Sequence, residues 1–270
     1  TEDVRKLLFT MSLPIIISFL VQSVYNVVDS IFVSRISEEA LTAVSLCFPV
    51  QNIMIAFAVG IGIGTTALIS RYLGMDDRNR VSSIATHGLV LAIISMLAFV
   101  LFGIFFSDFY ARSQSTDPEI IKYTKDYLSI VLIFSVGIFF QIFFEKTLQS
   151  TGNTVYTMIT QGIGALINII LDPIMIFGLF GFPMLGVRGA ALATIIGQIS
   201  GALVGLMLHV KKNDDVKFEF KNFKLHKENL GLIFSIGLPS IIMSGIGSVV
   251  LFLINAILYS FGSSAVAAYG

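Results

Sequence analysis

The sequence predicts an all-α polytopic membrane protein: a six-helix lobe followed by the first helix of a second, parallel-repeat lobe. Three observations lead there. Of 270 residues, 55% are hydrophobic and only 13% charged, with mean hydropathy +0.88, far more apolar than a soluble domain. Apolar runs of about 18 residues or more recur along the chain, each long enough to cross ~30 Å of hydrocarbon. Finally, `LLFTMSLPIIIS` (7–18) lies over `LIFSIGLPSIIM` (232–243) at an offset of 225, superposing Pro14 on Pro239. The same offset pairs Ala40 with Ala265 and Ala43 with Ala268. Six spans per repeat is an even number, so both repeats run the same way, and twelve helices are expected in a complete protein.

Seven spans are predicted, about 7–33, 45–72, 81–107, 121–148, 155–180, 187–210 and 230–261. The first carries Pro14, Tyr25 and Asp29 and ends at `SRISEEA`. The second holds Gln51, the single cysteine Cys47 (a buried thiol) and Gly60, Gly62 and Gly64, and closes at `LGMDDRNR`. The third ends at `SDFYARSQSTDPE`. The fourth bears Phe139, Phe140, Phe143 and Phe144 with Gln141, and Glu145–Lys146 reads as an interfacial pair at its end. After `QSTGNT`, the fifth carries Asn168, Asp172 and Pro173 and stops at `FGFPMLGVRG`. The sixth presents Thr194 with Gly197, Gly201 and Gly205, glycines spaced for close helix contacts. The seventh contains no acid, and Asn255 is its most conspicuous polar side chain. The units are therefore a lobe over 1–210, a linker over 211–229 that reads as solvated, and the opening helix of a second lobe over 230–270. The chain begins with Thr1, which suggests a trimmed piece of something larger. The first apolar run is too long for a cleavable signal peptide and lacks a cleavage site.

Lys and Arg orient the spans. With the N-terminus inside, 12 of the 17 basic residues fall on the cytoplasmic side. A multi-pass protein of the plasma (inner) membrane with a cytoplasmic N-terminus is expected. Net formal charge is zero, so nothing favours nucleic acid as a partner. His87, His209 and His226 are too scattered for a metal site, and no nucleophile–base arrangement supports an enzyme.

The fifth span is the informative one. Asn168 and Asp172, four apart, stack on one helical face, and Pro173 removes an N–H and bends the helix beside the carboxylate. A carboxylate inside an apolar span costs roughly 2.5–3.5 kcal/mol, so it has a partner or a task. Counting along each span, Asp29, Asp172 and Thr194 lie roughly 6, 12 and 10 Å from the outer ends of three helices. Two carboxylates at one depth repel when both are ionised, so the pair either exchanges a proton or holds Na⁺ with the Asn168 and Thr194 oxygens. Tyr25, Gln51, Gln141 and Asn255 are candidates for a substrate cavity.

`YNVVDSIFVSRIS`, `GIGIGTTALISRYLGMDDRN`, `LQSTGNT`, `NIILDP` and `GVRGAALATIIGQ`, in this order, resemble the multidrug and toxic compound extrusion (MATE) transporters over the whole chain. The resemblance implies two six-helix lobes and cation-coupled antiport of amphipathic, often cationic, compounds, with H⁺ or Na⁺ as coupling ion and no other cofactor. The chain is most similar to the DinF-like branch, which implies an ion site at Asp29, Asn168, Asp172 and Thr194. It also implies bending at Pro14 as the first-helix acid changes protonation. The absence of an acid from the seventh span departs from the branch that places an ion site there. The expected partners are the exported small molecule and the bilayer, with the complete chain acting as a monomer. Two other classes compete. A lipid-linked precursor flippase needs cavity cations, and no central Lys or Arg is present. A membrane transferase needs an interfacial Asp-rich motif, and `MDDRN` is the one candidate.

Overall fold

The computed structural model describes residues 4–221 and 224–261 of the chain. The described residues form helices and connecting turns without a strand: α1 (Val4–Ser34), α2 (Glu38–Gly74), α3 (Arg78–Gln114), α4 (Pro118–Ile133), α5 (Val136–Ser150), α6 (Thr154–Phe177), a 3-10 turn (Leu179–Gly181), α7 (Val187–Lys212) and α8 (Lys227–Tyr259). Six are long and apolar enough to cross a membrane, and the bent pair α4 and α5 counts as a seventh when taken as one span. The repeat's second segment, with Ala265 and Ala268, lies outside the described residues.

Local chemistry sets the helix ends. Ser37 accepts from the Ala40 amide at 3.1 Å to start α2, and Asp77 accepts from Arg80 N at 3.1 Å to start α3. Asp117 caps α4 ahead of Pro118, whose missing N–H costs nothing in the first turn. Gly178 ends α6 with φ 73°, and the chain folds back so that Leu185 N bonds Met175 O at 3.0 Å.

The fourth predicted span is not one helix. It breaks between Ile133 and Val136, and α4 and α5 meet at 47°. No proline is involved. Ser135 N bonds Leu132 O at 3.2 Å and Gly137 N bonds Phe134 O at 3.5 Å, tighter i→i−3 links in place of α-helical ones. The bend brings Gly137 onto α7, where a Cβ would stand 2.9 Å from Ile199 N.

Small residues set the packing. α6 lies against α7 and α1, α5 against α7 and α2, and α8 along α2. A Cβ on Gly64 would stand 2.2 Å from the Ile233 carbonyl oxygen, and one on Gly237 2.3 Å from that of Gly60. The glycines are close helix contacts, as their spacing predicts. The outward faces of α1 and α8 stay apolar and exposed, for example at Phe9, Phe19, Met243 and Ile246. Cys47 is a buried free thiol.

The segment after α7 corrects the reading of a solvated linker. Its charges point outward, but Val216 and Phe218, two apart in extended chain, turn inward. Val216 is fully buried, and the Phe218 ring stacks on His209 with centroids 4.7 Å apart. Glu219 N donates to Thr86 Oγ1 at 3.0 Å, His226 N to His87 Nε2 at 2.9 Å, and Arg78 donates to Asp215. The linker is thus a strap across the ends of α3, α5 and α7. It also brings the His87 and His226 rings to 5.8 Å, closer than their scatter in sequence suggests. Among the described residues no three His, Cys, Asp or Glu side chains gather as metal ligands.

Candidate functional site

α6 is the central element of the site. From the strap-side end, Thr157, Gln161, Gly164, Asn168 and Asp172 follow at spacings of four, three, four and four, one continuous face. Gly164 lets α7 approach closely, because a Cβ there would stand 3.0 Å from the Gly197 carbonyl oxygen. This approach brings Thr194 of α7 beside Asn168.

The predicted residues meet. The Asn168 amide donates to Asp172 Oδ1 at 3.2 Å and reaches Thr194 Oγ1 at 3.4 Å. Asp29 of α1 lies near enough to Asp172 for the two acids to interact. Asp172 is wholly buried, and Asn168 and Asp29 are 2% and 8% exposed. Two ionised carboxylates near one another in a buried setting repel, and a proton or a cation relieves the repulsion. Among the described residues no donor reaches Asp29 Oδ1, Asp172 Oδ2 or Asn168 Oδ1. The site offers oxygens from two acids, an amide and a hydroxyl, the donor set a hard cation or a proton requires.

α1 runs as a helix through Pro14, whose carbonyl accepts from Ser18 Oγ at 2.9 Å. α6 likewise continues past Pro173 to Phe177. A cavity of about 190 Å³ opens between α1, α2, α5, α6 and α7, with Asn168 and Thr194 in its wall. Tyr25 and Gln141 line it. Gln51 and Asn255 do not; both are elsewhere, each with a buried amide nitrogen that meets no acceptor among the described residues.

Glu145 and Lys146 are not the interfacial pair expected from sequence. Glu145 is 6% exposed and accepts from Gln141 Nε2 at 3.0 Å and Thr160 Oγ1 at 3.1 Å. Lys146 bonds instead to Gln149 Oε1 at 3.0 Å, its stem lying against Gly62. The i, i+4 spacing of Gln141 and Glu145 on one face was the available signal; the position near the end of an apolar run obscured it. Phe139, Phe143 and Phe144 are core residues. In `MDDRN`, Asp76 turns the chain with φ 55°, Asp77 caps α3 and Arg78 holds the strap, so its residues have structural occupations.

Comparison with known proteins gives this geometry a family. Multidrug export protein MepA of Staphylococcus haemolyticus (strain JCSC1435) is 29% identical over the full 270 residues. The chain spans 59% of that relative's length. Among solved structures, a MOP superfamily transporter from Pyrococcus furiosus aligns with a TM-score of 0.88 at 30% identity, covering 99% of this chain and 59% of that one. A multidrug resistance MATE family transporter of the MOP superfamily aligns in its outward-facing conformation at TM-score 0.87 and 31% identity, over 99% of this chain and 59% of that one. An inward-facing conformation of a multidrug resistance MATE family transporter gives 0.85 and 30%, over 94% of this chain and 59% of that one. The MatE family model matches residues 14–174, a segment that includes Pro14, Asp29, Asn168 and Asp172 and exceeds half of the chain, so the chain belongs to the MatE family of transporters.

Proposed function

We propose that this chain is the N-terminal lobe and seventh helix of a cation-coupled antiporter, DinF-like, that exports amphipathic, often cationic, compounds by alternating access. The observation that carries the reading is the buried cluster of Asp29, Asp172 and Asn168, in which three side-chain oxygens meet no donor among the described residues. A proton or Na⁺ entering from outside satisfies those oxygens and removes the repulsion between the acids. Loading draws α1 towards α6 and bends it near Pro14, which reshapes the cavity and releases the exported compound outward. If Na⁺ is the ion, Asp29, Asn168, Asp172 and Thr194 hold it. Tyr25 and Gln141 face the compound. The reciprocal rule follows: the ion weakens binding of the compound, and the compound weakens binding of the ion by the same factor.

In the proposed orientation the N-terminus and the strap are cytoplasmic and the acid pair lies in the outer half of the plasma membrane. The divisions 1–210, 211–229 and 230–270 serve as lobe, strap and opening helix of a second lobe, and the complete chain works as a monomer. Of the residues lining the cavity, Lys146 alone is cationic, and it sits at the strap end bonded to Gln149, a poor place to meet a lipid pyrophosphate. Drug export fits this cavity better than a flippase or a transferase.

The experiment is ethidium efflux from cells carrying the complete gene, wild type beside Asp29→Asn, with ΔpH and ΔNa⁺ collapsed one at a time. Loss of efflux in the variant, and in wild type when one gradient is collapsed, supports the reading and names the ion. Full ion-driven efflux by Asp29→Asn contradicts it.

A further inference from the structure

Glu145 has no role in the acid pair, yet it is a buried carboxylate of the same lobe, and among the described residues it makes no ion pair. Both recorded donors converge on Oε1, and the residue forms part of the cavity wall. Its contact with Thr160 places it twelve residues below Asp172 along α6, roughly 18 Å nearer the strap. Gln141, Gln161 and Gln198 line the space between, and the cavity's 190 Å³ has room for several waters at about 30 Å³ each.

The partners suit a group that changes protonation. The Thr160 hydroxyl reaches two acceptors, Glu145 Oε1 at 3.1 Å and Thr157 O at 2.7 Å, with one hydrogen to give. An ionised Glu145 takes that hydrogen. A protonated Glu145 donates its own to Thr160, which then turns its hydrogen to Thr157 O. Rotation of one hydroxyl satisfies both states, whereas a carboxylate kept only to pin helices needs fixed donors. The other titratable groups in the cavity wall are Tyr25 on α1 and Lys146 on α5; α2 presents only Ile55 and Val59 there. The acid pair adjoins the wall through Asn168, which bonds Asp172. His209 of α7 bonds Thr147 and stacks on Phe218, outside the cavity wall.

We infer that Glu145 is a proton relay at the cytoplasmic end of the lobe cavity, taking the coupling proton released by the Asp29/Asp172 pair and passing it to the cytoplasm past Lys146 and Gln149. In this step the acid pair gives a proton to cavity water, water gives one to Glu145, and Glu145 gives one to cytoplasmic water; no other reactant is needed. The inference rests on the cation-coupling reading above and specifies the proton as the species.

The test uses the complete protein in proteoliposomes, with ethidium export driven by ΔpH and rates read against pH on the strap side. Wild type is compared with Glu145→Gln, Glu145→Asp, Thr160→Val and Asp29→Asn. The relay predicts that Glu145→Gln slows export about tenfold or more and flattens the pH profile. It predicts that Glu145→Asp restores part of the rate and that Thr160→Val, which keeps the carboxylate, moves the profile along the pH axis. Wild-type rate and profile in Glu145→Gln, with Asp29→Asn uncoupled, overturn the relay alone. If Glu145→Gln does not fold, an unmoved profile in Thr160→Val overturns it. Export driven by Na⁺ with no dependence on strap-side pH also overturns the relay and leaves cation coupling standing. Full coupling in Asp29→Asn overturns both.

Discussion

Gly197 of α7 crosses Gly164 of α6 so closely that a Cβ on Gly197 would stand 2.6 Å from the Gly164 carbonyl oxygen and 3.1 Å from Asn168 Cβ. The nearest obstacle is backbone, which cannot swing aside as a side-chain tip does. The distance between α6 and α7, and with it the reach from Asn168 to Thr194, depends on these two absent side chains.

Gly197→Ala is therefore expected to push α7 outward, lower stability by about 1–3 kcal/mol and impair cation-driven export. Gly162→Ala, on the same α6 but with nothing within 4 Å of the added Cβ, is the control. It is expected to leave stability unchanged or raise it by about 0.5–1 kcal/mol, since alanine favours the helix. Thermal midpoints of the purified variants decide between the two patterns.

At Thr194 a hydroxyl can be removed at constant shape. Thr194→Val takes away the oxygen that Asn168 Nδ2 reaches at 3.4 Å. The cation concentration for half-maximal export should rise about tenfold, or ~1.4 kcal/mol, while Thr194→Ser stays near wild type. Equal effects of valine and serine would show that bulk, not the oxygen, matters there.

The strap gives a prediction independent of transport. Phe218→Ala opens a gap among His209, Phe143 and Phe144 and should cost about 2–3 kcal/mol, with faster amide exchange over residues 213–221. Phe220 is 63% exposed, so Phe220→Ala should change stability by less than about 0.5 kcal/mol. Exchange rates measured side by side separate a docked strap from a loose one.

Legibility in the sequence followed how local each feature is. Helix order and the acid face of α6 are set by neighbours three or four residues away, and they read directly from the chain. Depth counting brought Asp29, Asp172 and Thr194 to one level, and the folded lobe brings them into one cluster with Asn168. The break at Phe134–Ser135 escaped because no proline marks it; it is stabilised by the fit of Gly137 on Ile199, a contact between distant segments. The strap escaped because its lysines dominate the composition, whereas its docking depends on Val216 and Phe218. Glu145 looked interfacial from its place in the run, and only the approach of α6, which supplies Thr160, makes it a buried cavity residue.

The most direct test of the central claim is the cation displaced when a transported compound binds. With the complete protein purified in detergent and weakly buffered, ethidium is added while proton release and loss of bound ²²Na⁺ are recorded, for wild type and for Asp29→Asn/Asp172→Asn. The account predicts that wild type gives up protons or Na⁺ on binding and that the double variant binds ethidium without releasing either. Unchanged release from the double variant would place the coupling ion elsewhere and contradict the account.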